Sequence, residues 1–184
     1  MGTYDMPSNI AKTPVNHNWQ PSPTHDLHAS SNIAYETSNG YIFALFLWSR
    51  MDHHELARRA RAAKKYSYSP YSRFRVGAAV VTEAGKVYTG CNVENSSYGL
   101  TICAERTALF KAVSEGERHF TAIAIAADRE GFIPPCGACR QVILDLAGDI
   151  DIILTTPRGK VKVMRTSELL PLPFGAKNLK KRKP

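Results

Sequence analysis

No segment of this 184-residue chain approaches the roughly 18 consecutive apolar residues of a membrane span. The longest apolar run, Tyr41 to Trp48, is far shorter. It lies inside the chain with no basic segment before it, so it does not read as a secretory signal. Cysteine is scarce: four residues, at positions 91, 103, 136 and 139. Without a secretory signal, so few cysteines argue against a disulfide framework and leave metal binding or redox chemistry. Acidic residues are outnumbered 16 to 24, for a net charge of +8. Residues 1–50 carry Lys12 and Arg50 against Asp5, Asp26 and Glu36, so the surplus lies beyond them. Lys177, Lys180, Lys181, Arg182 and Lys183 crowd the C-terminus. A solvated tail and a nuclear-import or nucleic-acid patch are both open readings. The tail has no aromatic residue for bases to stack on, which argues against nucleic acid. No internal repeat is present.

What is there divides at about residue 51. Residues 1–50 read as a disordered N-terminal extension, rich in Ser, Thr, Asn, Pro and His without periodicity and dispensable for folding. A helix is predicted from Asp52, with Asp52 as cap and Glu55 completing a capping box. Leu56, Ala57, Ala60 and Ala63 form its apolar stripe. The segment "YSYSPYS" ends it. Strands are expected at 74–82 and 87–91, joined by the turn "EAGK". A helix from "TICAERTALFKAVSEG", a buried strand at 121–127, a helix over 137–147 and a hairpin at 151–155 and 161–164 follow. The order α-β-β-α-β-α-β-β predicts an α/β domain over 51–178, before a basic tail at 179–184. It is a three-layer sandwich with a mixed five-stranded sheet and helices on both faces.

The chemistry concentrates in two stretches. Cys103 opens one helix, and Pro135-Cys136-Gly137-Ala138-Cys139 opens another. Thiolates at helix N-termini are favoured by the backbone dipole. Three protein thiolates fit a catalytic Zn²⁺ with a fourth position for water, whereas a structural site has four protein ligands. Cys91 is the competitor for that position. Residues i and i+2 of a helix point about 200° apart. Cys103 and Glu105 therefore converge only if the metal lies off the helix end. Arg106 and Arg140 are candidates to donate hydrogen bonds to the sulfurs and offset their negative charge.

Cys103-Ala104-Glu105 followed by Pro135-Cys136-x-x-Cys139 resembles the zinc-dependent nucleoside and nucleobase deaminases. "PYSRFRVGAAV", "GCNVEN", "CAERTAL", "PCGACRQV" and "ELLPLPFG" together are similar to the small, tetrameric, all-cysteine cytidine deaminases, over about residues 52–178. The resemblance implies one Zn²⁺ per subunit on Cys103, Cys136 and Cys139, and Glu105 as the proton carrier. It implies Asn92 and Glu94 on the ribose 3′-hydroxyl and Phe74 beside the pyrimidine. The Ala104 N–H lies near the attacking oxygen by the same likeness. Tyr71 and Phe174 match residues contributed across a subunit boundary. The implied activity is hydrolytic deamination of cytidine and deoxycytidine in pyrimidine salvage, by a cytoplasmic homotetramer with shared active sites and no membrane partner. Pro134 departs from the pattern, which has serine there.

Other readings stay open on sequence alone. One is a related deaminase acting on deoxycytidylate, a blasticidin-type nucleoside or RNA. Others are a non-catalytic zinc scaffold and a Cys136/Cys139 redox pair. The carboxylate of Glu94 near the sugar disfavours a phosphorylated substrate.

Overall fold

The computed structural model describes residues 51–179. The expectations for residues 1–50 and 180–184 lie outside that range. Helix α1 spans His53–Ala63. Strands β1 (Val76–Thr82) and β2 (Val87–Cys91) form a hairpin. Helix α2 (Ala104–Ser114), strand β3 (Phe120–Ala127) and helix α3 (Gly137–Ala147) follow. Strands β4 (Asp151–Thr155) and β5 (Val161–Arg165) and a single turn, α4 (Thr166–Leu169), complete the domain.

The sheet order is β2-β1-β3-β4-β5. Only β3 and β4 run parallel, with α3 as the crossover; the other pairs are antiparallel. Alternation sorts the strand residues into two cores. Ala78, Val80, Ile123, Ile125, Ile152 and Leu154 meet Leu109 of α2 and Ile143 of α3. Ala79, Val81, Ala122, Ala124 and Ile153 meet Leu56, Ala57 and Ala60 of α1. Each fully buried Leu or Ile contributes about 1.5–3 kcal/mol from burial. The expected three-layer α/β sandwich is therefore the fold.

Two glycines set how closely the helices approach. A Cβ on Gly77 would lie 2.2 Å from the Ala60 carbonyl oxygen of α1. One on Gly90 would lie 2.5 Å from the Ala108 nitrogen of α2. On its side of the sheet, Gly90 fixes the seat of the helix that carries Cys103 and Glu105.

Three local expectations are corrected. Asp52 caps α1 through the His54 N–H, but Glu55 does not complete a capping box. Its carboxylate accepts from Arg58 and Arg59 instead, one turn along the same face. The first strand begins at Val76, not residue 74, because Arg73 has φ 55° and the Phe74 backbone is held by side chains. The second helix begins at Ala104, because Ile102 is extended and bridges Val93.

Candidate metal centre and substrate pocket

The site forms where β3 and β4 present their carboxyl ends, a common ligand position in α/β sheets. Val76 at the start of β1 pairs with Ala127 at the end of β3, and Gly77 with Cys91 at the end of β2. The loops that carry Phe74, Asn92 and Cys136 therefore leave the same end of the sheet.

Cys103 is the N-cap of α2, Cys136 is the N-cap of α3, and Cys139 lies in the first turn of α3. The three Sγ atoms lie within 4.8 Å of one another, and Cys103 and Cys136 are 3.9 Å apart. Tetrahedral Zn²⁺ with Zn–S of about 2.3 Å needs sulfurs roughly 3.8 Å apart, so the trio fits that ion. Cys91 is not part of the cluster; its thiol donates to the Tyr66 carbonyl at 3.2 Å. Burial raises its pKa, as for an inert thiol.

The Cys103 thiol is driven down to about 5, chiefly by a hydrogen bond from Cys139 and further by Arg106, against the effect of burial. Cys139 is pushed up by its bond to Cys103 and by burial. Crowded sulfurs resist a second charge, and a dication resolves that conflict. Arg106 Nη2 donates to Cys103 Sγ at 3.6 Å and to the Thr101 carbonyl at 3.1 Å.

Arg140 differs from its expected role. Its Nε donates to the Pro135 carbonyl at 2.8 Å and its Nη1 to the Leu169 carbonyl at 3.0 Å. The guanidinium thus braces the cysteine loop and α4 and gives no bond to sulfur.

Glu105 is 5% exposed, and burial pushes its pKa up to about 6. It occupies the second position of α2, while Cys103 sits outside the helix as its cap. That offset lets two residues at i and i+2 address one space beyond the helix end.

The polar residues assigned to the sugar are already engaged. Asn92 is buried; its Oδ1 accepts from Ser67 Oγ at 2.6 Å and Val76 N–H at 2.8 Å. Its Nδ2 donates to the Phe74 carbonyl at 2.8 Å. Glu94 Oε2 accepts from the Tyr71 and Ser72 N–H groups at 2.9 and 3.1 Å, and Oε1 from Ser72 Oγ. These bonds hold the Glu94 pKa down against burial. Arg129 lies 5.9 Å from the centre of the half-buried Phe74 ring. Tyr71 is exposed and packs edge-on against Tyr98, with ring centres 5.8 Å apart. Phe174 is 60% exposed, and its carbonyl accepts from Gln141 of α3 at 2.8 Å.

Residues 50–154 match the family profile described as cytidine and deoxycytidylate deaminase zinc-binding region. The chain belongs to the cytidine and deoxycytidylate deaminase family. A cytidine deaminase of Sporosarcina psychrophila is 48% identical over 130 residues, covering 70% of this chain and 96% of the relative. One from Halalkalibacterium halodurans is 50% identical over 130 residues, covering 70% and 98%. The crystal structure of a cytidine deaminase from Burkholderia pseudomallei superposes with a TM-score of 0.66 at 52% identity. It covers 67% of this chain and all of that one.

As a member of this zinc-binding family, the chain offers its three-thiol cluster to one Zn²⁺. Sequence reasoning missed Ser67 and Ser72, which hydrogen-bond the Asn92 and Glu94 side chains. Their only signal was the serine-rich breaker before the first strand, which reads as an ordinary loop.

Proposed function

We propose that this chain hydrolyses cytidine and deoxycytidine to uridine and deoxyuridine, releasing ammonia, as a step of pyrimidine salvage. One observation carries the reading: a buried Glu105, its pKa raised by burial, adjoins three converging thiols at two helix N-termini. The relatives described as cytidine deaminases support the choice of substrate.

Zn²⁺ on Cys103, Cys136 and Cys139 supplies Lewis acidity that makes water a nucleophile at neutral pH. Glu105 takes a proton from the attacking water and delivers it to N3 of the cytosine ring. Protonation at N3 leaves the adjacent amine-bearing carbon electron-poor and open to attack. Glu105 then moves a proton from the new hydroxyl to the amine, which leaves as ammonia. One carboxylate serves as base and then acid, the role known for zinc nucleobase deaminases in general. A pKa raised by burial suits a group that must both accept and release a proton. The Ala104 N–H, at a helix start without a helical acceptor, steadies the attacking oxygen. Arg106 draws charge from Cys103 and so keeps the thiolates from over-neutralising the metal.

Asn92 has a second Nδ2 hydrogen and Glu94 a free lone pair on Oε1, enough to share one ribose hydroxyl. Phe74 flanks the pyrimidine. Tyr71 and Phe174, exposed on one subunit, complete the pocket of another in a homotetramer. Exposed Tyr66, Tyr68, Val93, Tyr98 and Leu100, next to that loop, supply an apolar surface for such packing. Residues 51–178 form the catalytic domain of a cytoplasmic enzyme. Among the described residues no helix is long and apolar enough to cross a membrane.

The test is Glu105→Gln, assayed for ammonia release from cytidine and for bound zinc. The expected result is a loss of at least about a hundredfold in rate with zinc retained. Undiminished turnover would remove Glu105 from the mechanism.

A further inference from the structure

The segment Tyr71–Phe74 is held in an unusual backbone shape by the two side chains assigned to the sugar. Arg73 has φ 55°, the left-handed region that non-glycine residues seldom occupy. Its N–H donates to the Ser69 carbonyl at 3.0 Å. Such conformations persist only where the surroundings over-determine them, and they cluster at functional sites. Here the restraints are explicit. Glu94 accepts from two consecutive N–H groups, of Tyr71 and Ser72, and from the Ser72 hydroxyl. The same Ser72 oxygen accepts the Phe74 N–H at 3.0 Å. On the other side of that residue, Asn92 Nδ2 binds the Phe74 carbonyl. Both peptide groups that fix the Phe74 backbone are therefore addressed from the sugar side, one directly and one through Ser72.

We propose that Ser72 is a positioning residue that couples recognition of the ribose 3′-hydroxyl to placement of the aromatic beside the base, through the path Glu94–Ser72–Phe74. The inference rests on the assignment of Glu94 to the sugar and Phe74 to the pyrimidine. The bonds of Ser72 run to Glu94 and to the Phe74 N–H. It is the one hydroxyl that both satisfies the carboxylate and fixes the N–H at the other end of the strained residue. When a ribose hydroxyl engages Glu94, the carboxylate keeps its orientation only if Ser72 and the two N–H groups hold it. The same bonds keep Phe74 where a base can lie against it. A nucleoside without the 3′-hydroxyl loses the anchor and gains less from the placed ring.

The test compares cytidine with 3′-deoxycytidine on the full-length zinc-loaded protein and on three variants. For Ser72→Ala the expected result is a KM for cytidine raised about tenfold, the effect of one charge-assisted hydrogen bond. Its kcat should change by less than about twofold, zinc content should hold, and the preference for cytidine over 3′-deoxycytidine should narrow. Ser72→Thr, which keeps the hydroxyl, should restore both KM and preference. Arg73→Gly gives an independent reading should Ser72→Ala fold poorly. Glycine removes the side-chain strain but also frees the loop to leave the left-handed conformation before substrate binds, so this variant should melt no lower than wild type yet bind cytidine more weakly. A purely structural role would move stability and activity together and leave the preference intact. Wild-type KM and preference in Ser72→Ala, or in Arg73→Gly, would overturn the coupling. An unmodified chain without activity on cytidine would instead sink the underlying functional reading, and this inference with it.

Discussion

Arg106 and Arg140 sit beside cysteines in two helix first turns, and their different destinations separate two kinds of support. Arg106 reaches Cys103 Sγ, and its Nε is buried with no hydrogen-bond partner. The Cys103 and Cys139 sulfurs beside it raise the guanidinium pKa and hold the cation in place. Arg140 reaches two backbone carbonyls. Arg106→Gln should therefore weaken zinc binding about 10- to 100-fold, the usual effect of losing a group that hydrogen-bonds a metal ligand. Arg140→Gln should leave zinc affinity close to wild type and lower the melting temperature. Chelator competition alongside thermal melting checks both. Equal losses of zinc affinity in the two variants would contradict the division. The sequence could name both arginines but not separate them, because the direction of a long side chain is set by tertiary neighbours. It could name Cys103, Glu105, Cys136 and Cys139, because their order and spacing tie them to two helix starts. The fold separates Cys91 from them: it lies outside the three-sulfur cluster and bonds the Tyr66 carbonyl.

At the scale of elements, the site depends on how α2 is seated on β2 and β1. Gly90 has the Ala104 carbonyl oxygen 2.7 Å and the Ala108 nitrogen 2.5 Å from where a Cβ would stand. Both are backbone atoms of the helix, so no side-chain rotation relieves the clash. Gly90→Ala should cost about 1–3 kcal/mol or more from overpacking and shift the helix end that carries Cys103 and Glu105. The checks are a lowered denaturant midpoint and reduced zinc occupancy. Wild-type stability would show that the helix moves freely. Periodicity revealed most elements, because alternating strands and an apolar helix stripe are local signals. It missed where β1 begins, because Phe74 and Arg75 look like strand residues while side chains of Ser72 and Asn92 claim the Phe74 backbone. It missed α4, a single turn that carries too few residues for any period to show. The capping box failed because Glu55 found stronger partners in two arginines.

For the whole molecule, the described residues already hold two cores, a five-stranded sheet and every residue assigned to the pocket. A chain trimmed to residues 51–184 should fold, bind zinc and turn over cytidine at rates close to the full-length protein. It should also sediment as a tetramer, since the exposed aromatic surface and Phe174 lie within it. Analytical ultracentrifugation with a parallel ammonia assay reads both. An active monomer would remove the shared-site proposal and leave the metal chemistry standing.

The central claim is an ion held by three sulfurs, with a coordination position left for water next to Glu105. X-ray absorption at the zinc edge on the full-length protein tests it most directly. The account predicts three sulfur scatterers at about 2.3 Å and one lighter oxygen or nitrogen scatterer. Four sulfurs, or no stoichiometric zinc, would contradict it.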